Sequence, residues 1–206
     1  FLNSKLSYYS LDCLNPTVST QVGDVLRVPF APPLKKIEDQ ISQLAQENVS
    51  IKKHLCEFSI VEMNYIHHPL MWAKEKTGSN DLSKLIKTYM DYENEQLTKV
   101  FVNEAKIDEL IFEVYELSNE DKQMVLDKEG LPIGSYSQES TQDEIRNIEE
   151  LYGQNHSLEE ICEKVEINPV TVAKTLKDSN VLPERRVNDI AKDFLFDVVR
   201  EVLKED

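Results

Sequence analysis

Four residues in the first third of the chain are of types that bind metals: His54 and Cys56, then the adjacent pair His67 and His68. A transition-metal site needs three or four such groups converging at fixed spacing. Adjacent histidines project to different sides of a helix or strand, and no third ligand follows at a motif distance, so the pattern predicts structural histidines and no metal. Cys13, Cys56 and Cys162 lie far apart without a Cys-x-x-Cys pair, which supports neither a disulfide framework nor a zinc ribbon. Paired acids are abundant between residues 54 and 156, but no Pro-Asp…Glu-x-Lys nuclease arrangement is among them, and they read as a solvated face. No glycine-rich phosphate loop is present. The reading of catalytic residues is therefore none.

The sharpest local motif is SLEEICEKVEINPVTVAKTLKDSNVL, residues 157–182. Ser157 with Glu160 makes a capping box that opens a helix with Leu158, Ile161, Cys162 and Val165 on its apolar side. A turn over Glu166 to Asn168 follows, then a second helix capped by Asn168, with Pro169 in its first position and Val172, Ala173 and Leu176 inward. This resembles the helix-turn-helix of bacterial DNA-binding proteins, whose second helix lies in the major groove. The resemblance implies DNA-facing positions at Asn168, Val170, Thr171, Lys174, Thr175 and Lys177, with Arg185 and Arg186 beyond them for phosphate contacts. The motif departs from the pattern twice. Cys162 takes the place of a small Ala, and Glu166 takes that of Gly, where a left-handed turn is costly and a negative charge opposes phosphate. A helix-turn-helix that serves only as a packing module is the alternative.

Charge decides where nucleic acid could approach. The 206 residues carry a net charge of −15, which by itself argues against a phosphate partner. Residues 1–53 hold six Lys/Arg against five Asp/Glu, residues 54–156 nine against 21, residues 157–186 five against six, and residues 187–206 three against six. The acid is concentrated in the middle, and the two ends remain open to DNA. No apolar run approaches the ~20 residues of a membrane helix, and Phe1 to Leu14 is too polar for a signal-peptide core. Together these predict a cytoplasmic chain with no membrane partner.

Helices must position these motifs. From Leu34 the apolar residues fall at Leu34, Ile37, Ile41, Leu44, Ile51 and Leu55, with Asn48 in the remaining seam position of a 3-4 alternation. This is either a coiled-coil seam whose lone Asn fixes register or an amphipathic helix packed on its own domain. A second long helix is expected over Asp81 to Leu117, capped by Asn80 or Ser79, antiparallel to the first. The stretch DKEGLPIGSYSQESTQD, residues 127–143, is rich in turn formers and reads as part of a linker. The last helix carries Val187, Ile190, Ala191, Phe194, Leu195, Val198, Val199, Val202 and Leu203 on one stripe, to cover the preceding module or dock a partner.

The opening FLNSKLSYYSLDCLNPTVSTQVGDVLRVPFAPPLKKIEDQI, residues 1–41, resembles the end of a target-recognition domain of restriction-modification proteins: a helix at LNSK, a polar strand region, GDV…VP, then Pro-Pro and a spacer helix. Leu14-Asn15-Pro16-Thr17 and Gln21-Val22-Gly23-Asp24 resemble more closely the large adenine-specific DNA methyltransferases of BREX phage-defence systems, the PglX type. IHHPLM is similar to that family's HPLL element, and KIDELIFEVYELSNEDKQMV to its EELN…IYGL helix end, so the resemblance covers most of residues 1–126. It departs where EFSIVEMNY replaces a Trp-rich stretch and Tyr-Glu-Leu replaces Tyr-Gly-Leu.

The resemblance implies a mainly α chain that is the C-terminal region of an N6-adenine DNA methyltransferase, its catalytic domain lying before Phe1. Residues 1–33 would close a short α/β piece of the target-recognition domain, with Gln21 and Arg27 as polar DNA contacts. Residues 34–118 would be a coiled-coil-like helical spacer hairpin, 119–141 a linker, and 142–206 the helix-turn-helix module with its terminal amphipathic helix. Asn15-Pro16 is followed by Thr and Asn168-Pro169 by Val, so neither is the Asn-Pro-Pro-aromatic element such enzymes use on the extruded base. S-adenosylmethionine is thus expected for the parent protein and no cofactor for this segment. The implied partners are double-stranded DNA and, through the acidic hairpin, other subunits of a defence complex. A helix-turn-helix transcriptional regulator and a non-catalytic docking module are the competing readings.

Overall fold

The structure, a computed structural model, describes residues 1–17 and 21–204. Within them the chain is built from α1 (Lys5–Leu14), α2 (Val22–Val25), α3 (Lys35–Cys56), α4 (Pro69–Thr77), α5 (Leu82–Val114), α6 (Asn119–Glu129), a 3-10 turn at Ile133–Ser135, α7 (Gln142–Gly153), α8 (Leu158–Val165), α9 (Pro169–Asp178) and α10 (Glu184–Lys204). The fold is mainly α. No strand occurs among the described residues, only an isolated parallel bridge between Ser137 and Ile167. The α/β character expected of residues 1–33 is accordingly replaced there by α1 and α2, with residues 18–20 of the expected strand region outside the described set.

α5 is the spine. Its cap is Asp81 rather than Asn80 or Ser79, because the Asp81 carboxylate accepts from the N–H groups of both Ser83 and Lys84. At 33 residues it is about 50 Å long. Thirteen of its residues are buried, around much of its circumference, as expected of a helix packed on several sides. Its first two-thirds share a core with α4 and α7–α9, built from Ile86, Tyr89, Met90, Ile148, Ile161, Val172 and Leu176 among others. Its last turns join a smaller core with α1 and α6 through Leu6, Ile111, Phe112 and Val125.

α3 lies antiparallel along α5, which settles the use of its heptad pattern: the seam is intramolecular. Ile37, Ile41, Leu44, Asn48, Ile51 and Leu55 are all half-buried, and none is fully buried. Leu34 is outside the seam, 78% exposed at the N-cap position. Asn48 does sit in the interface. Its Oδ1 accepts from Asn103 Nδ2 at 2.9 Å, and its own Nδ2 donates to the Val100 carbonyl at 3.4 Å.

The expected linker at 119–141 is corrected. α6 occupies 119–129, opened by a Ser118–Asp121 capping box, and packs on α1, where Lys128 pairs with Asp12. The 3-10 turn at 133–135 lies so close to α5 that a Cβ at Gly134 would overlap the carbonyl of Phe101. Proline and glycine predict a linker, but here they shape a turn pressed onto a helix.

α10 divides in two. Its first turns pack through Ile190 and Phe194 over His68, whose ring lies 5.2 Å from that of Phe194. Further on, Leu195, Phe196, Val199, Val202 and Leu203 are each more than half exposed. No helix among the described residues is long and apolar enough to cross a membrane.

Candidate nucleic-acid interface

The α8–turn–α9 segment, over which the sequence resembles a helix-turn-helix, is built by local chemistry. Ser157 Oγ accepts from Glu160 N–H at 3.2 Å and Glu160 Oε2 accepts from Ser157 N–H at 2.8 Å, the capping box expected for α8. That backbone hydrogen bond, helped by His156, holds the Glu160 carboxyl below the usual range. α8 ends at Glu166 in the left-handed region (φ 51°, ψ 36°), so the chain takes the turn with a residue for which it is unfavourable. Asn168 then caps α9, its Oδ1 accepting from Val170 N–H at 3.0 Å, with Pro169 at the first helical position.

The module is fused to the rest of the chain. Asn168 Nδ2 donates to the carbonyls of Gly134 and Tyr136, its N–H donates to Ser137 O, and Thr171 Oγ1 donates to Gln138 O. From α5, Thr98 Oγ1 donates to Pro169 O and Lys87 Nζ to Leu176 O, while Asn94 Nδ2 donates to the Tyr152 hydroxyl. The acidic spine therefore lies directly against α9, where the sequence placed it across a linker.

These contacts sort the expected DNA-facing residues. Asn168 is buried and both its donor hydrogens are used, so it is a structural cap. Thr171 has committed its hydroxyl proton, and Thr175 is half-buried. Arg186 is bound to Glu93 at 2.6 Å beside Tyr89 and Tyr152, which ties α10 to α5 in place of a phosphate. Val170, Lys174 and Lys177 are exposed, at spacings of four and three that put them along one side of α9. Arg185 is exposed too, and its backbone N–H is held by Asn155 Oδ1. Gln21 and Arg27 are exposed at the two ends of α2, beside α1 and so toward the far end of α5. Thus Val170, Lys174 and Lys177 form one outward row on α9, Arg185 is exposed separately at the start of α10, and Gln21 with Arg27 lie at α2.

Of the histidines, His68 is structural: 1% exposed, it caps α4 by accepting from Leu70 N–H on Nδ1, and its Nε2 donates to Ile190 O. Burial lowers its pKa and keeps the ring neutral. Among the described residues no group of three or more His, Cys, Asp or Glu is placed to hold a metal.

One feature was not legible in sequence. Where α3, α4, α5 and α9 meet there is an open cleft of about 690 Å³, walled by Trp72 and Tyr92 and rimmed by Lys76, Lys177, Asp91 and Glu95. Its parts come from positions over 100 residues apart, and the only local signal is Trp72 four residues before Lys76 on one helix face.

No family model matches the chain, and neither a curated protein nor a solved structure matches it.

Proposed function

We propose that the chain is a DNA-contacting, spacer-bearing segment of an N6-adenine DNA methyltransferase of a restriction-modification or phage-defence system. The observation that carries the DNA reading is the outward row Val170, Lys174 and Lys177 on α9, the second helix of the segment that resembles a helix-turn-helix. The methyltransferase reading rests on the resemblance of residues 1–126 and supplies the second contact set, Gln21 and Arg27. α5 separates the two sets: Asp91, beside Lys177, and Ile111, in the core with α1, are twenty residues apart, about 30 Å of helix. That separation is close to the rise of one turn of duplex.

This reading assigns the parent's S-adenosylmethionine to residues outside this segment. Its five glycines stand singly, at positions 23, 78, 130, 134 and 153, and none follows a strand among the described residues. No methyl-transfer step is assigned to these residues. The intact chain is expected to bind a labelled DNA duplex weakly at low salt, with affinity falling by about 0.9 in log K per log salt for each phosphate contact. Fluorescence anisotropy over a salt series measures this, and an absence of binding at low salt overturns the reading.

A docking module is the second reading, favoured by the uncovered apolar residues of α10 from Leu195 to Leu203. It predicts that Leu195→Ser with Val199→Ser abolishes capture of a partner subunit and leaves duplex binding unchanged.

A further inference from the structure

The cleft at the α3–α4–α5–α9 junction has the chemistry of a site for a planar anion. Trp72 and Tyr92 pack against each other, 4.5 Å between ring centroids and tilted by 41°, so they make one aromatic surface with no room for a ring between them, and Phe58 backs Trp72 at 5.6 Å. Each wall is half-buried, so the rings are held by the core while part of their surface faces the cleft. The two carboxylates at the rim already have partners on their own helix, Asp91 with Lys87 at 3.0 Å and Glu95 with Lys99 at 3.3 Å. Lys76 and Lys177 make no ion pair within 4 Å among the described residues, and the Lys76 ammonium lies 5.9 Å from the Trp72 ring centre. A cationic ligand would meet two ammonium groups, and a purely apolar one would strip water from them. An aromatic ring carrying phosphate satisfies both the side of that aromatic surface open to the cleft and the rim.

Lys177 belongs both to this rim and to the outward row of α9. We propose that the cleft takes one unpaired nucleotide of a DNA strand, its base against Trp72 and Tyr92 and its phosphates at Lys76 and Lys177, next to the duplex that α9 faces. This rests on the reading of α9 as a duplex-facing helix. A paired base is stacked on both sides and offers no open face, whereas an unpaired one does.

Trp72 is the only tryptophan in the chain, so its emission reports the cleft directly. The intact protein is titrated at low salt with an eight-nucleotide single strand, a blunt duplex, the same duplex with an unpaired overhang, and dAMP, reading Trp72 emission and the anisotropy of labelled DNA together. The single strand and the overhang should quench Trp72, and the blunt duplex should raise anisotropy without quenching. Tyr92→Ala should weaken single-strand binding about 5- to 150-fold, the range for one stacked base, while Tyr92→Phe binds like the original protein. The exposed changes Lys76→Gln and Lys177→Gln should each reduce the single-strand salt slope by about 0.7. Unchanged Trp72 emission when single-strand binding is saturated overturns the proposal and leaves the α9 reading standing. Quenching by the single strand without any duplex binding keeps the cleft and overturns the α9 reading. Equal quenching by dAMP and by the single strand overturns the assignment to a strand in favour of a free nucleotide.

Discussion

α3 and α9 pack on the same spine by different means. α3 runs for 22 residues beside α5 and buries none of them fully, and its seam is interrupted by a polar layer of Asn48 and Asn103. α9 has only ten residues, yet it buries Pro169, Val172 and Leu176 and receives hydrogen bonds from Thr98 and Lys87 of α5. Length and heptad regularity are thus poor guides to how firmly a helix is held. What counts is the area removed from water and the polar groups satisfied on both sides. α9 is fixed well enough to present Lys174 and Lys177 at a defined position, whereas α3 has one face on α5 and the rest in solvent.

Gly134 gives the sharpest way to break the α9 side. Gly134→Ala puts a methyl group into the Phe101 carbonyl, so the 3-10 turn must move and with it the acceptors of Asn168. We expect a loss of about 2 kcal/mol in urea unfolding. A change within ~0.5 kcal/mol, the usual range for surface positions, would mean the turn is not held against α5.

On the α3 side the expected effect is smaller. From the heptad alone, Asn48→Leu should stabilise the seam, since a lone Asn there costs stability. The structure reverses the sign: the change removes two hydrogen bonds and leaves the Asn103 carboxamide short of a partner, for a loss of about 1 kcal/mol. Asn48→Leu with Asn103→Leu replaces both partners and should recover most of that loss. A single change that stabilises would show that the Asn pair adds nothing to the hairpin. The smallest effect belongs to Leu34→Gln, expected to stay within ~0.5 kcal/mol because Leu34 lies outside the seam the pattern assigned it to.

Legibility followed the range of the interaction. The caps of α8 and α9 could be read because Ser157–Glu160 and Asn168–Pro169 are local, and the antiparallel α3–α5 hairpin could be read because its period repeats. Leu34 continues the pattern but not the seam, because periodicity does not mark where a partner helix stops. The stretch around Gly134 resembles a linker because a glycine needed for close packing looks, in sequence, like one needed for a turn. Arg186 looks like a phosphate contact in sequence because its partner Glu93 is 93 residues away. Asn168 satisfied the local signature of a cap and of a base contact equally well, and burial decided between them.

The central claim is that DNA is met by the exposed side of α9 and not by the uncovered half of α10. The direct test is the salt dependence of duplex binding for the intact chain, for Lys174→Gln with Lys177→Gln, and for Leu195→Ser with Val199→Ser. The lysine pair should reduce the slope of log K against log salt by about 1.8, about 0.9 for each lost contact, and weaken all duplex sequences alike, with the α10 pair unchanged. An unchanged slope in the lysine pair, or a loss of duplex binding in the α10 pair alone, would contradict the account.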